Sequence, residues 1–230
     1  MKDKSSLKAT VWLAVTIVLV ILSSFACALL LSCEKKERPL YDIYVRPFNI
    51  ICSEDYNTDN FNAIKINSNY SDIKIVNTKL LKDKVKIVAF GEEDDTAQTL
   101  CENNCLQILC NENRQADYPS SPKTIVVIYV PMNFDIEADI STLCGDISLD
   151  NIKGCVNVHT GFGNIEIRNA VMTRNSFVST EKGDISISRT NNIQIEVSVF
   201  GGGAEINKGD SSSQIILKAY TKYGNVEIND

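Results

Sequence analysis

The sequence contains few of the residues that most often build active sites. His159 is the only histidine among 230 residues, which leaves no set of histidines to hold a metal ion. The net charge is −6 with both signs mixed along the chain, so no basic stripe is available for phosphates and nucleic acid is not an expected partner. Gly201 to Gly203 are not followed by lysine and serine in the order of a phosphate-binding loop, which argues against nucleotide binding.

Long apolar runs are absent after residue 33, although the composition is that of a folded protein. Hydrophobic residues make up 44% of the chain and charged residues 23%, which provides enough apolar surface to offset chain entropy. Isoleucine and valine alternate with polar residues over short runs, a pattern typical of half-buried strands. About 200 residues follow the first apolar segment, so we expect one main all-β domain.

The first 33 residues predict a membrane anchor. Lys2, Lys4 and Lys8 precede an uncharged run from Ala9 to Ser32. A helix of this length covers the roughly 30 Å hydrocarbon core of a bilayer. The order of positive start, apolar run and processing site is that of an export signal. We therefore expect the chain at the cell membrane, with its β domain on the extracytoplasmic side.

The end of this segment allows two kinds of anchor. Leu30-Leu31-Ser32-Cys33 resembles the lipobox of bacterial lipoproteins, in which the cysteine is lipidated and becomes the new amino terminus. A lipid on Cys33 and an uncleaved transmembrane helix both remain open. Either anchor divides the chain into residues 1–33 as signal or anchor, 34–60 as linker and entry segment, and 61–230 as the β-strand repeat domain.

The cysteines after the anchor do not indicate a metal centre. The gaps between Cys101, Cys105 and Cys110 lack the paired C-x-x-C spacing of structural zinc sites. We expect no metal and no cofactor. Export permits disulfides, and the sequence does not choose among the 15 pairings that six cysteines allow. These six are Cys52, Cys101, Cys105, Cys110, Cys144 and Cys155.

Internal repetition is the strongest feature of the sequence. A glycine, then Asp or Asn, then an apolar-polar-apolar triplet recurs at intervals of 18 to 22 residues, the spacing of stacked β-solenoid coils. We predict structural corners at these glycines because glycine tolerates tight backbone turns and Asp or Asn satisfies turn donors. The corner glycines are Gly145, Gly163, Gly183, Gly202 and Gly224, with Gly202 in a degraded copy.

Each corner is preceded by a second short strand, so one coil consists of strand, corner, strand and connector. The sequence predicts an elongated β-solenoid-like domain with about 20 residues per coil behind an N-terminal apolar helix, because one coil cannot bury its apolar face alone. The first half is less regular, and Gly91 to Asn104 is predicted to be an inserted polar loop. The preceding strands are predicted in Val156–Thr160, Ser176–Thr180, Ile193–Val197 and Ile215–Ala219.

These features together resemble a known family. The run from Thr124 to Pro131, the segment from Ile136 to Thr142 and the repeated Gly-Asp/Asn-Ile-x-Ile copies are similar to the bacterial putative adhesin family, a group of membrane-anchored β-strand repeat proteins. The resemblance covers roughly Phe61 to Asp230. It implies a β-solenoid-like domain on the cell surface with no established catalytic residues.

The only candidate active site is acidic. Asp146 and Asp184 could align by stacking, with Glu166 and Asp150 nearby, as carboxylates do on solenoid enzymes that act on polysaccharides. However, Asp146, Asp184 and their Asn counterparts share the position after the corner glycine, which favours a turn role. His159 is interpreted as a surface residue, because it lies on the polar side of an alternating strand.

The sequence therefore predicts a non-catalytic, adhesin-like protein that presents a strand face to an unidentified envelope or surface partner. Tyr220 and Tyr223 flank the last corner, where they either cover the open end or contribute to a binding face. Two alternatives remain. The array could associate with itself as an envelope scaffold, or it could be a solenoid enzyme acting on glycans.

Overall fold

The computed structural model describes residues 49–111, 124–191, 193–207 and 212–229. These residues form an all-β structure of 18 strands with one short 3₁₀ turn at Thr58–Asn60. No helix among them is long and apolar enough to cross a bilayer. The predicted anchor in residues 1–33 lies outside the described residues.

The strands form two mixed sheets. The first ten strands are β1 Asn49–Asn57, β2 Ala63–Ser68, β3 Ser71–Thr78, β4 Lys84–Gly91, β5 Thr96–Glu102, β6 Cys105–Asn111, β7 Thr124–Pro131, β8 Asp135–Cys144, β9 Ile147–Asp150 and β10 Lys153–Phe162. The remaining strands are β11 Ile165–Arg168, β12 Val171–Met172, β13 Ser176–Lys182, β14 Ile185–Ser188, β15 Gln194–Gly201, β16 Ala204–Asn207, β17 Ile216–Tyr223 and β18 Val226–Asn229.

Sheet A has the strand order β1-β4-β7-β3-β9-β11-β14-β18-β16, and sheet B has the order β15-β17-β13-β10-β8-β2-β6-β5, with β12 beside β10. Six strand–corner–strand units connect the sheets, each with one strand in sheet B and the next in sheet A. We call them corner units, and they are β2/β3, β8/β9, β10/β11, β13/β14, β15/β16 and β17/β18. Neighbouring corner units pair in parallel, for example Ile165 with Ile185 and Val158 with Val178.

The core lies between the two sheets. Alternate residues of each corner unit point inward, and their isoleucine, valine and leucine side chains form a single buried cluster. Ile147, Ile165, Ile185 and Val226, which follow the corners, are each 1% exposed. The alternation that the repeat predicts is therefore the alternation that fills the core.

Two details differ from the sequence prediction. The predicted loop over Gly91 to Asn104 contains strand β5, which pairs antiparallel with β6. The corner units also do not stack in sequence order, because β17/β18 lies between β13/β14 and β15/β16. The corner unit β15/β16, which contains Gly202, is therefore at the edge of both sheets, rather than the last unit of the sequence. The last strand, β18, is paired on both sides.

The corner glycines sit where neighbouring backbones come closest. Gly183 has a φ of +152°, and a Cβ at this position would lie 2.6 Å from the carbonyl carbon of Gly163 in the next unit. Gly145 has the same φ and meets the backbone of Ser71 in the same way. Any side chain there would separate adjacent units, so stacking requires glycine at this position of the corner.

We expect Gly183→Ala to lower the free energy of unfolding by about 3 kcal/mol or more, because both the backbone conformation and the space exclude a Cβ. Urea unfolding of the full chain in detergent measures this change. Gly203→Ala is the matched control. A Cβ at Gly203 meets only the side-chain oxygen of Asn225, at 3.5 Å, so its effect should stay within about 0.5 kcal/mol. Equal losses for the two variants would contradict the stacking argument.

Candidate functional site

The residues after the corner glycines, together with Asp72 in β3, form a continuous row of hydrogen bonds across the corner units. In each step a side-chain oxygen accepts a backbone N–H from the corner of the neighbouring unit. We call this set the corner row. Its bonds run from Asp146 N to Asp72 Oδ1 (2.8 Å), Asn164 N to Asp146 Oδ1 (2.7 Å), Asp184 N to Asn164 Oδ1 (2.9 Å), Asn225 N to Asp184 Oδ1 (2.7 Å) and Gly203 N to Asn225 Oδ1 (3.0 Å).

This row accounts for the acidic residues that the sequence singled out. Asp146 and Asp184 occupy it with Asn164 between them, and each uses a carboxylate oxygen to accept a backbone N–H. Glu166 forms an ion pair with Arg168 at 3.3 Å. Asp150 accepts a hydrogen bond from Asn169 at 3.1 Å. Asp and Asn can interchange in the corner row because both supply the accepting oxygen that the turn needs.

A second row contains threonines that the sequence analysis overlooked. Thr160, Thr180 and Thr221 each donate their hydroxyl to a corner-glycine carbonyl of the neighbouring unit at 3.0 Å. Each lies three residues before its own corner glycine, as does buried Thr142. The repeat is therefore T-x-x-G-[DN], and a search upstream of each glycine would have found it. Val199 takes this position in the coil around Gly202.

Asp72 differs from the other members of the corner row because it is half-buried. Loss of solvent raises the pKa of its carboxyl to about 6, the hydrogen bond from the Asp146 N–H opposes this rise, and the Asp146 charge adds to it. Burial disfavours the charged form of a carboxyl group. At neutral pH this end of the row therefore carries a charge in an unfavourable position.

The described thiols and the histidine lie outside the corner row. Burial raises the pKa of Cys52, Cys105, Cys144 and Cys155 above the ordinary thiol value, whereas a nucleophilic cysteine needs a lowered pKa. None of the six described cysteines is in a disulfide. The His159 ring shares a hydrogen bond with Ser179 at 2.9 Å. Within the described ranges, no three His, Cys, Asp or Glu side chains converge as a metal site.

A shallow groove of about 450 Å³ crosses the outer face of sheet B. Glu137, one of its two acidic side chains, is paired with Arg174 at 3.1 Å, and Arg174 also contacts Asp135 at 3.3 Å. Phe177, which lines the groove, is 41% exposed. The groove thus combines ion pairs with one apolar ring.

Exposed apolar side chains lie one or two residues before the corner glycines, along one edge of the stack. Phe162 pairs in register with Lys182, and Lys182 pairs with Tyr223. Tyr223 contacts Phe200 ring to edge, with the ring centroids 6.2 Å apart. We call this set, together with Leu143 and Lys222, the corner stripe. Its apolar members are all at least 40% exposed.

Lysines pack on the rings of the corner stripe. The Lys182 ammonium lies 5.5 Å from the centre of the Phe162 ring, and the Lys222 ammonium lies 5.6 Å from that of Tyr223. Lys222 also pairs with Glu181 at 3.3 Å, and this hydrogen bond raises the pKa of Lys222. Cation–π contacts of this kind hold the ring faces in place. The stripe is therefore an ordered surface of mixed aromatic and cationic character.

The structure places the predicted site residues in different parts of the molecule. Gly145, Gly163, Gly183, Gly202 and Gly224 stack at the corners, each against the backbone of a neighbouring unit. Tyr223 belongs to the corner stripe, whereas Tyr220 pairs in register with Ser179 and Ser198 on the face of sheet B. Cys33 lies outside the described residues.

Comparison with known proteins relates this chain to others through its fold. No family model matches the chain, and no curated protein matches it. It is similar to the solved structure of a putative cell adhesion protein from Clostridium sporogenes ATCC 15579, with a TM-score of 0.57 and 13% identity over 77% of this chain and 98% of that chain. A putative adhesin from Bacteroides fragilis NCTC 9343 gives a TM-score of 0.37 and 16% identity over 78% of this chain and 96% of that chain. The Clostridium structure shows a shared all-β fold.

We expect Asp72→Asn to stabilise the protein at pH 7.5. The folded chain holds the Asp72 proton more tightly than the unfolded chain, because the pKa rises from 3.8 to about 6 on folding. The stabilising contribution of this proton is complete below about pH 3.8 and is lost as the pH rises through 6. Asparagine keeps the accepting oxygen, so the free energy of unfolding should rise by about 1 to 2 kcal/mol at pH 7.5 and much less at pH 4.

Asp184→Asn is the matched control, because Asp184 occupies the same corner position but is exposed to solvent. Urea unfolding of both variants at the two pH values gives the comparison. An Asp72→Asn effect that is the same at pH 4 and pH 7.5, or that destabilises the protein at both, would contradict the assignment.

Proposed function

We propose that this chain is a membrane-anchored, extracytoplasmic, β-solenoid-like protein that binds an envelope or surface partner and catalyses no reaction. The proposal rests on the different roles of the residues before and after each corner glycine. Polar side chains of the corner row bond to neighbouring units, whereas aromatic side chains of the corner stripe are left exposed. The acidic row therefore serves the fold, and the stripe is available for binding.

The chemistry of the corner stripe supports a binding role. Exposed apolar patches on soluble surfaces often mark interaction sites, and aromatic side chains are enriched among the residues that dominate interface energies. The stripe crosses several units, each about 4.8 Å from the next, so it offers an extended contact rather than a closed pocket. The fold shared with a putative cell adhesion protein is compatible with such a surface.

The anchored location rests on the sequence of residues 1–33. A positive start, an uncharged run and the lipobox-like end at Cys33 are what an exported lipoprotein would require. We propose lipidation of Cys33 over an uncleaved helix. A β domain held at the outer side of a membrane would present its corner stripe to other envelope components.

Phe162→Ser in the full chain should weaken binding to its surface partner at least roughly tenfold, because it removes one exposed ring from the stripe. The measurement is binding of proteoliposomes carrying the chain to a panel of purified envelope polysaccharides and intact bacterial cells. Phe177→Ser is the matched control, since Phe177 is 41% and Phe162 40% exposed and Phe177 lies on the groove of sheet B. Absence of binding across the panel would contradict the proposal. Equal losses of binding in the two variants would show that the binding site is not the corner stripe.

Radiolabelled palmitate should be incorporated when the full chain is expressed in a bacterial host, and Cys33→Ala should abolish incorporation. Lipidation at Cys33 also removes the preceding 32 residues, so intact mass gives an independent measurement. A chain of full mass without label would show that Ala9 to Ser32 stays as an uncleaved span.

A further inference from the structure

The stack of corner units has one open end, formed by β15 and β16. Ile206 in β16 is 50% exposed, whereas the residues at the same position in the next units, Ile228 and Ile187, are 1% and 0% exposed. Val197 and Ile195 in β15 are likewise only partly buried, although their counterparts in β17 are fully buried. The inward side chains of this unit therefore have a covering unit on one side only.

The opposite end of the stack is closed. Antiparallel strands form both edges there, β1 in sheet A and β5 in sheet B. The Tyr56 hydroxyl in β1 and the Thr99 hydroxyl in β5 hydrogen-bond at 2.7 Å, which joins the two edges over the core. A copy of this chain could not continue the parallel stack from the closed end, so head-to-tail stacking is disfavoured and the open end needs a different cover.

The internal stretch of chain between β6 and β7 is too short to cover the open end. Residues 112–123 leave from Asn111 and return to Thr124. Twelve residues extend to about 40 Å at most. The edge strand β16 is six strands from β7, which is about 29 Å. The stretch would have to cover this distance twice, out and back.

The exposed backbone of β15 is suited to pairing with another strand. Gln194 N–H donates to Ile215 C=O at 2.9 Å, so Gln194 and alternate residues after it bond toward β17. The intervening residues, Ile195, Val197 and Val199, direct their N–H and C=O groups away from the sheet. An edge of this kind is a template for a further strand. Ile195 to Phe200 also has the β-branched, low-charge composition that favours strand association.

Charge excludes one register of a symmetric antiparallel pair and is compatible with pairing about Val197. Glu196 is the only charged residue of β15, and Lys218 pairs with it at 3.1 Å. If Val197 faces the partner's Val197, then Glu196 lies opposite the partner's Ser198 and no like charges meet. A shift that placed Glu196 opposite the partner's Glu196 would be destabilised by repulsion.

We propose that the open end binds the open end of a second copy of this chain, with β15 paired antiparallel to the partner's β15 about Val197. This two-fold contact continues sheet B and covers the exposed side chains of both copies. The end face measures roughly 26 Å by 10 Å from strand length and sheet spacing. Since this is well under the roughly 800 Å² per partner of a standard interface, we expect a weak, transient dimer.

This pairing deepens the proposed function and rests on it for its biological setting. The chain enters the stack at β1, at the closed end, and the contact is at the far end. The two entry points therefore lie at opposite ends of the dimer. Between membrane-anchored chains, many weak contacts of this kind would act together.

Sedimentation equilibrium of the full chain in density-matched detergent, up to about 1 mM, tests the pairing. We expect a reversible dimer. Val197→Pro should weaken it at least roughly tenfold, because proline removes an outward N–H that pairing uses. The monomer should keep its fold, since proline is tolerated on edge strands where the N–H faces solvent, and urea unfolding checks this.

Opposite charges at Ser198 test the register. Ser198→Lys should strengthen the dimer and Ser198→Glu should weaken it, because each new side chain faces the partner's Glu196. A chain that stays monomeric at about 1 mM would overturn the proposal. A dimer that Val197→Pro leaves unchanged would also overturn it, because association through the apolar amino-terminal segment would not respond to this substitution. The same holds for a dimer that both Ser198 variants weaken equally.

The two proposals fail separately in these experiments. Val197→Pro should weaken dimerisation and leave binding to the surface panel intact. Phe162→Ser should weaken that binding and leave the dimer intact, because Phe162 lies three corner units away from β15/β16. Loss of dimerisation in both variants would contradict the assignment of the contact to the open end.

Discussion

The close approach of backbones at the corners is the constraint on which the rest of the structure depends. Each corner glycine sits against a carbonyl group of the neighbouring unit with no space for a side chain. The Asp or Asn that follows accepts an N–H across the same gap. The threonine three residues earlier donates to a glycine carbonyl across it. Polar groups that would be costly to bury unpaired therefore form hydrogen bonds between units. The alternating inward and outward residues of each unit are thereby in register with those of its neighbours.

The use of polar side chains at the corners also limits what the protein can do chemically. A catalytic carboxylate must be free to take or give a proton, or to attack a substrate. The corner-row carboxylates instead accept backbone hydrogen bonds and alternate with asparagines. Burial raises the pKa of four thiols above the range that suits a nucleophile. Beside the corner row, the described surface carries an ordered line of rings and lysines, and it is on this line that the proposed recognition of a partner rests.

The order of the units decides where the stack is incomplete. In sequence order the last unit would be β17/β18, with Ile228 at the exposed end. In the structure β17/β18 lies inside the stack, and the degraded copy around Gly202 takes the edge. That copy lacks the threonine of the repeat and has Val199 in its place. An edge unit needs fewer hydrogen bonds to neighbours because it has only one, which is consistent with the loss of the repeat residues there.

The sequence by itself determined the all-β class, the corners and the alternation of the core, because these depend on local chemistry that recurs in each unit. It also predicted the strands before the corners, whereas β5 was missed because its alternation is masked by polar residues. The tertiary structure alone decided the sheet order, the open end and the grouping of Phe162, Tyr223 and Phe200 into one stripe. Pairing between units depends on backbone contacts between residues far apart in the sequence. Since the copies of the repeat are nearly alike, the sequence does not indicate which copy pairs with which.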